Sequence, residues 1–187
     1  VAASRAGIEL KTAPEGYVKL DPNHHLWSKS RIAMGMPDAT FKVVAVAGEP
    51  CPQGLGDCWA AHCDFYNGCG PTETTIVNTL HRHAPGTPLT IGTPTPNNTV
   101  YVLDEQGRAC ELGEVGEMWA GGTGVTAGYL NNPEQTAERY LSLQLPHGQT
   151  LRAYRSGDMA KWGEHGIELC GRRDNQVKIR GFRVEPE

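Results

Sequence analysis

The chain has 187 residues, one domain's worth on a prior of about 150 residues per domain. Lys plus Arg number 17 against 21 Asp plus Glu, so the net charge of −4 offers no overall basic surface for nucleic acid. The longest apolar run, Val43-Val44-Ala45-Val46-Ala47, is too short to cross a bilayer, and no apolar stretch follows a basic one at the start as in a secretory leader. In chain order, residues 1–40 are broken repeatedly by Pro14, Gly16, Pro22, Gly35 and Pro37, and are expected to be irregular with one short helix. Residues 41–47 form a β-branched apolar run closed by Gly48, the pattern of a buried strand. A helix follows at 53–63, with Leu55 and Trp59 on one face, and a short strand at 64–66. Strand, helix and strand in that order predict a parallel α/β unit.

Past residue 90 the character changes. Strands are expected at 99–103 and 115–120. A helix is expected at 133–140, where Asn132 caps, Pro133 suits the first position and Glu134 favours the N-terminal dipole. Further short strands are expected near 150–155, 159–162, 167–170 and 176–184, with a hairpin turn at Gly166. The fold class is therefore α/β: a parallel α/β piece at 41–90, then a strand-rich, barrel-like part at 91–187. The first residue is Val1 rather than Met, consistent with a segment of something longer.

Gly (23) and Pro (13) make 36 residues, about 19%, above the usual ~12% and below the ~25–30% of disordered chains. The cysteines stand at 51, 58, 63, 69, 110 and 170, with no C-x-x-C pair to suggest zinc. The neighbouring His62, His81 and His83 are weak hints beside that missing spacing. Reduced, packed thiols are expected, as in a cytoplasmic protein. Asn97-Asn98-Thr99 matches a glycosylation sequon but lacks the secretory signal that would give it meaning. From residue 171 to 183 five basic side chains face Asp174 alone, a local +4 against −8 elsewhere. Val177-Lys178-Ile179-Arg180 alternates as a half-exposed strand, with no aromatic platform for nucleic acid.

Three stretches can carry chemistry. Residues 67–73 (NGCGPTE) follow a strand, at the edge where open α/β sheets bind ligands. Thr72 offers a hydroxyl there and Glu73 a carboxylate able to hold magnesium beside phosphate; the alternative is a tight loop with Thr72 as a helix cap. Gly121-Gly122-Thr123-Gly124 lacks the Lys-Ser/Thr of a P-loop and reads as a turn. Residues 154–158 (YRSGD) put Asp158 past a strand end, where its two oxygens can accept from a ribose diol or simply close a turn.

These stretches, with residues 116–130 (GEMWAGGTGVTAGYL) before Asn132-Pro133-Glu134 and residues 171–183 (GRRDNQVKIRGFR), resemble the adenylate-forming enzymes. Closest in wording are the adenylation domains of nonribosomal peptide synthetases, fungal ones in particular. The resemblance runs in register over about residues 41–187 and marks the later half of the N-terminal subdomain. It implies ATP-dependent activation of an amino or other carboxylic acid as an acyl adenylate. Transfer would follow to the phosphopantetheine thiol of a carrier domain in the same polypeptide, with neither nucleic acid nor membrane as partner. By resemblance Asn67, Gly68 and Gly70 surround adenine, and Thr72 and Glu73 are the catalytic pair, Thr72 at the α-phosphate and Glu73 holding magnesium. Asp158 and Arg172 reach the ribose, and Asp174 matches a hinge. Ala45, Ala47, Gly68, Ile76 and Val77 line a roomy, apolar acid pocket. An acyl-CoA ligase shares the nucleotide residues, and a non-catalytic nucleotide-binding module is the alternative from another class.

Departures from the family are Cys69 and Leu169 where aromatics are usual, Ser156 for Thr, and Pro186 at the end of the last motif. The family's lysine-bearing phosphate loop and amine-binding Asp belong upstream, and its catalytic Lys downstream. This segment alone is thus expected to be inactive.

Overall fold

The computed structural model describes residues 42–145 and 148–174 with their side chains, and the backbone of five further strands. Three of these fall where a short helix was expected: β1 (Glu9–Ala13), β2 (Gly16–Leu20) and β3 (Leu26–Ser28) form an antiparallel sheet. The reason is legible afterwards. Leu10 between Glu9 and Lys11, and Val18 and Leu20 around Lys19, carry a period of two, and the prolines and glycines punctuate it.

The expected strand–helix–strand unit is present. β4 (Val43–Val46) lies parallel to β5 (Asp64–Cys69), joined through α1 (Gln53–Ala60). Two strands that the pattern did not announce complete this sheet, β6 (Thr79–His83) and β7 (Thr93–Pro94), in the order β4-β5-β6-β7. Val44, Trp59 and Phe65 form its core on the α1 face. Gln53 pins the helix to the loop beyond β6, donating Nε2 to the Thr87 carbonyl (2.9 Å) and accepting from the Leu89 N–H (2.8 Å).

The second half is an antiparallel sheet of β8 (Asn98–Leu103), β9 (Gly116–Gly122), β10 (Tyr140–Gln144), β11 (Thr150–Gly163) and β12 (Gly166–Arg172), in the order β10-β11-β9-β8 with β12 also on β11. The two strands expected near 150–155 and 159–162 are one, β11, whose register against β9 shifts between Arg155 and Met159. β10 pairs with its first part and β12 with its last. α2 (Pro133–Arg139) has the expected start, with Asn132 Oδ1 accepting from the Gln135 N–H at 3.1 Å, a cap worth about 1 kcal/mol. The strand expected at 176–184 is described as two, β13 (Val177–Ile179) and β14 (Phe182–Val184), paired antiparallel.

A backbone crossing joins the two sheets. Ile167 N–H donates to Gly92 O (2.8 Å) and Ile91 N–H to Ile167 O (3.0 Å). A Cβ on Gly166 would lie 2.6 Å from Gly92 O, so only glycine allows this approach. The crossing seals a core of Ile91, Val100, Val102, Met118, Ala160 and Ile167. Among the described residues no helix is long and apolar enough to cross a membrane.

Candidate functional site

Where the two sheets meet lies a cavity of about 460 Å³. Its walls come from four places: Gly48, Glu49 and Pro50 after β4, the end of β5 through Gly70, Ile91 at the crossing, and Asp158, Leu169, Gly171 and Arg172 from β11 and β12. All five residues expected around the nucleoside, Asn67, Gly68, Gly70, Asp158 and Arg172, line this one cavity. Cys69 and Leu169, the two departures from aromatic residues, line it too. Asn67 is held in place by its Nδ2 donating to Thr90 O at 2.8 Å.

Asp158 owes its position to the irregularity of β11. Gly157 (φ +77°) turns the strand outward, and a Cβ there would sit 2.9 Å from Arg172 Nη2. The Ser156 hydroxyl donates to Met118 O (2.6 Å) and accepts from the Asp158 N–H (3.0 Å), which anchors the turn to β9. The hydroxyl that Ser156 shares with the usual Thr is therefore in use. Arg172 donates Nη1 to Asp158 Oδ1 (2.6 Å), and Nε and Nη2 to the two oxygens of Asp174 (2.6 and 2.8 Å). Burial opposes the charge of Arg172, but the Asp174 bond and the charges of both carboxylates outweigh it and push the guanidinium's pKa up. Asp174, the expected hinge residue, also has Arg139 Nη2 at 3.8 Å.

Thr72 and Glu73 stand just past the cavity, on a 3₁₀ turn at Thr72–Thr74 that continues from Gly70 and Pro71. Pro71 occupies the N-cap and makes no side-chain cap bond, so Thr72 is not the cap. Thr72 is exposed, whereas Glu73 is buried at 7%. After the turn, Thr75 (φ 60°) and Ile76 (φ 73°) both take the left-handed conformation, which is costly for residues with a Cβ and especially for a β-branched one.

The loop after β9 holds that turn. Thr126 N–H donates to Glu73 O (2.9 Å), Thr75 Oγ1 to Gly124 O (2.7 Å), and the Tyr129 hydroxyl to Glu73 Oε1 (2.6 Å). Sequence reasoning missed Tyr129. It stands inside the stretch 116–130, but its partner is 56 residues earlier and no local pattern links them. A second missed network surrounds Glu117, 5% exposed, which accepts from Arg155 Nε at 2.9 Å and Arg173 Nη1 at 3.1 Å.

Of the residues expected around the acid, the structure brings Gly68 and Val77 together: a Gly68 Cβ would lie 3.3 Å from Val77 Cγ1. Ala45 pairs with Tyr66, and Gly68 with Leu80, which puts Ala45 and Gly68 on the sheet face away from the Trp59 core. Ala45, Ala47 and Ile76 are exposed, and of the five only Gly68 lines the cavity.

Comparison with known proteins agrees on one family. The model of the AMP-binding enzyme family matches residues 12–130. Adenylate-forming reductase 03009 of Coprinopsis cinerea is 52% identical over 77% of this chain, and nonribosomal peptide synthetase 5 of Aspergillus fumigatus 43% over 78%. The chain spans 14% and 6% of those two proteins' lengths. An artificially fused adenylation–PCP di-domain, NpsA-ThdA from Klebsiella oxytoca, superposes with a TM-score of 0.71 at 31% identity, over 77% of this chain and 28% of its own. Holo-PA1221, which contains adenylation and PCP domains, gives 0.72 at 29% identity, over 77% of this chain and 26% of its own. The match over residues 12–130, together with these likenesses, shows that the chain belongs to the AMP-binding enzyme family.

Proposed function

We propose that this chain supplies the nucleoside-binding part of an enzyme that activates a carboxylic acid with ATP as an acyl adenylate. The observation that carries the reading is convergence: Asn67, Gly68 and Gly70 meet Asp158 and Arg172, about 90 residues later, in one cavity. In this reading adenine lies against the end of β5 and the ribose hydroxyls donate to Asp158. A carboxylate oxygen of the acid attacks the α-phosphorus, pyrophosphate leaves, and the Thr72 hydroxyl bonds an α-phosphate oxygen. Gly68 and Val77 border the acid in this reading, with Ala45 on the same sheet face as Gly68 and with Ala47 and Ile76 as the further lining residues.

In this reading Glu73 is the carboxylate that would hold magnesium. No cluster of three or more His, Cys, Asp or Glu among the described residues forms an all-protein cage. Magnesium commonly takes one or two carboxylates and keeps waters and phosphate oxygens as its other ligands. When bound, the ion would offset phosphate charge. The greater identity to the reductase, 52% against 43%, supports a parent of the adenylate-forming reductase kind, and the likeness to PCP-containing proteins supports a carrier domain and its phosphopantetheine thiol as acyl acceptor. A cytoplasmic setting suits that chemistry.

The test is AMP binding to the polypeptide carrying this chain, by calorimetry, beside acid-dependent ATP–pyrophosphate exchange. Binding abolished or sharply weakened by Asp158→Ala supports the reading. Failure of the unmodified protein to bind AMP overturns it.

A further inference from the structure

Glu117 lies on the outer face of β9. Its neighbour Met118 belongs to the core, and adjacent residues of a strand point to opposite faces. A carboxylate on that face is ordinarily solvated, yet Glu117 is 5% exposed. Two guanidinium groups cover it. Arg155 donates Nε to one oxygen and Nη2 to the other, both at 2.9 Å, and Arg173 donates Nη1 at 3.1 Å. The bond to Glu117 is the chief cause that pushes the Arg155 pKa up.

The places of these two arginines give the carboxylate its meaning. In the pairing of β11 with β9, Arg155 stands opposite Trp119 and Met159 opposite Glu117. Ser156, Gly157 and Asp158 therefore bulge against Met118 alone. Arg155 is the last residue before the bulge. Arg173 comes from its far side, with its N–H donating to Gly157 O, at the middle of the bulge, at 2.9 Å. One buried carboxylate thus ties together the chain on both sides of the three residues that end in Asp158. The Ser156 hydroxyl holds the bulge from the core side, at Met118 O. Glu117 holds it from the outer side and does not itself line the cavity. A bulge re-aims a side chain, and the aim is only as firm as the bulge's supports.

We propose that Glu117 is a positioning residue for nucleotide binding: through Arg155 and Arg173 it fixes the β11 bulge and so aims the Asp158 carboxylate at the ribose hydroxyls. The inference rests on the proposed role of Asp158 toward the ribose. Glu117 touches no part of the nucleotide and acts through the two arginines alone.

The experiment compares wild type, Glu117→Gln, Arg173→Gln and Asp158→Ala in the polypeptide carrying this chain. Glutamine keeps the shape of Glu117 but turns an NH₂ donor toward guanidinium donors. Calorimetry gives the Kd of AMP and of 2′,3′-dideoxy-AMP, which lacks both ribose hydroxyls. The preference for AMP over the dideoxy analogue isolates the ribose contact, because a fold weakened elsewhere lowers both affinities together. Glu117→Gln is expected to weaken AMP binding about tenfold, inside the roughly 100-fold that misplacing a group can cost, and dideoxy-AMP binding hardly at all. A wild-type preference in folded Glu117→Gln makes Glu117 merely structural and overturns the proposal. Where Glu117→Gln does not fold, Arg173→Gln decides, since that side chain is half-exposed. A reduced preference there supports the proposal, and an unchanged one overturns it. Asp158→Ala separates the inference from the reading beneath it and is expected to abolish the preference. If Asp158→Ala keeps the preference, or wild type shows none, Asp158 does not take the ribose and the inference falls with that role.

Discussion

Arg172 donates to Asp158 at 2.6 Å from one nitrogen while its other edge grips both oxygens of Asp174. One planar guanidinium thus connects the carboxylate proposed for the ribose to the second residue past β12. Lysine has a single ammonium and cannot span both partners in this way.

Asp158 is the first place to test. Charge-assisted hydrogen bonds are worth roughly 1.5–3 kcal/mol each, so Asp158→Ala should raise the ATP requirement at least about tenfold, about 1.4 kcal/mol being a factor of ten. Asp158→Asn should fall between, because it keeps one acceptor and loses the charge. Since Asp174 still holds Arg172 in either variant, thermal unfolding should move little. A steady-state KM for ATP beside a melting curve decides; a variant that unfolds returns Asp158 to a purely structural role.

The second glycine of NGCGPTE answers to packing. A Cβ at Gly70 would meet Ile76 O at 2.6 Å and Asn78 N at 2.8 Å, both backbone atoms, and the Asn78 N–H is bound to Cys69 O. Gly70→Ala should destabilise the protein by about 1–3 kcal/mol, the usual cost of overpacking. Gly54→Ala is the control: it lies in α1 with nothing within 4 Å of the added methyl, and should be neutral or stabilising by about 0.5–1 kcal/mol. Chemical denaturation measures both.

Leu169 borders the cavity and is partly exposed. Tyrosine there would add a ring against which a base can stack. Leu169→Tyr should tighten AMP binding by about 0.5–1.5 kcal/mol, readable as a calorimetric Kd. Equal or weaker binding would mean that adenine does not lie against this wall.

Acid should weaken the fold in two steps. His81 sits below the ordinary histidine pKa, chiefly through burial and then through His83 and His165. Its unfolded form takes up a proton first, so stability is full above the ordinary histidine value of 6.5 and falls as pH drops below it. Asp57 is held at about 2 by the Gly86 N–H, Gln53 and His83, so its contribution persists above the ordinary aspartate value of 3.8 and disappears as pH falls toward 2. Melting temperatures from pH 8 to pH 2 should show both declines. His81→Gln should flatten the upper step and Asp57→Asn the lower.

Much of this was legible because it is local. The apolar run before Gly48 is a strand, the Asn132-Pro133-Glu134 start is a helix, and Gly166 closes a hairpin. Each depends on neighbours a few residues away. β6 escaped notice because its residues, Thr79-Leu80-His81-Arg82-His83, are mostly polar. It is a strand because β5 and β7 pair with it, and because its inward histidine, His83, finds Asp57 Oδ1 at 2.9 Å. β11 looked like two strands because Ser156-Gly157-Asp158 reads as a turn; pairing on both sides keeps it one strand with a bulge.

By itself the sequence determined the residue types the nucleotide chemistry asks for, in short stretches whose order marks the family. Each of those stretches is a turn or strand end shaped by its own glycines, prolines and small polar side chains. Only the tertiary structure decided which stretches share a site. Asn67 and Asp158 line one cavity because Gly92 and Gly166 let two sheets cross, and Glu73 meets Tyr129 because the loop after β9 folds over the 3₁₀ turn. Such contacts form between residues far apart in the chain, through backbone approach and buried polar pairing, and neither leaves a periodicity to read.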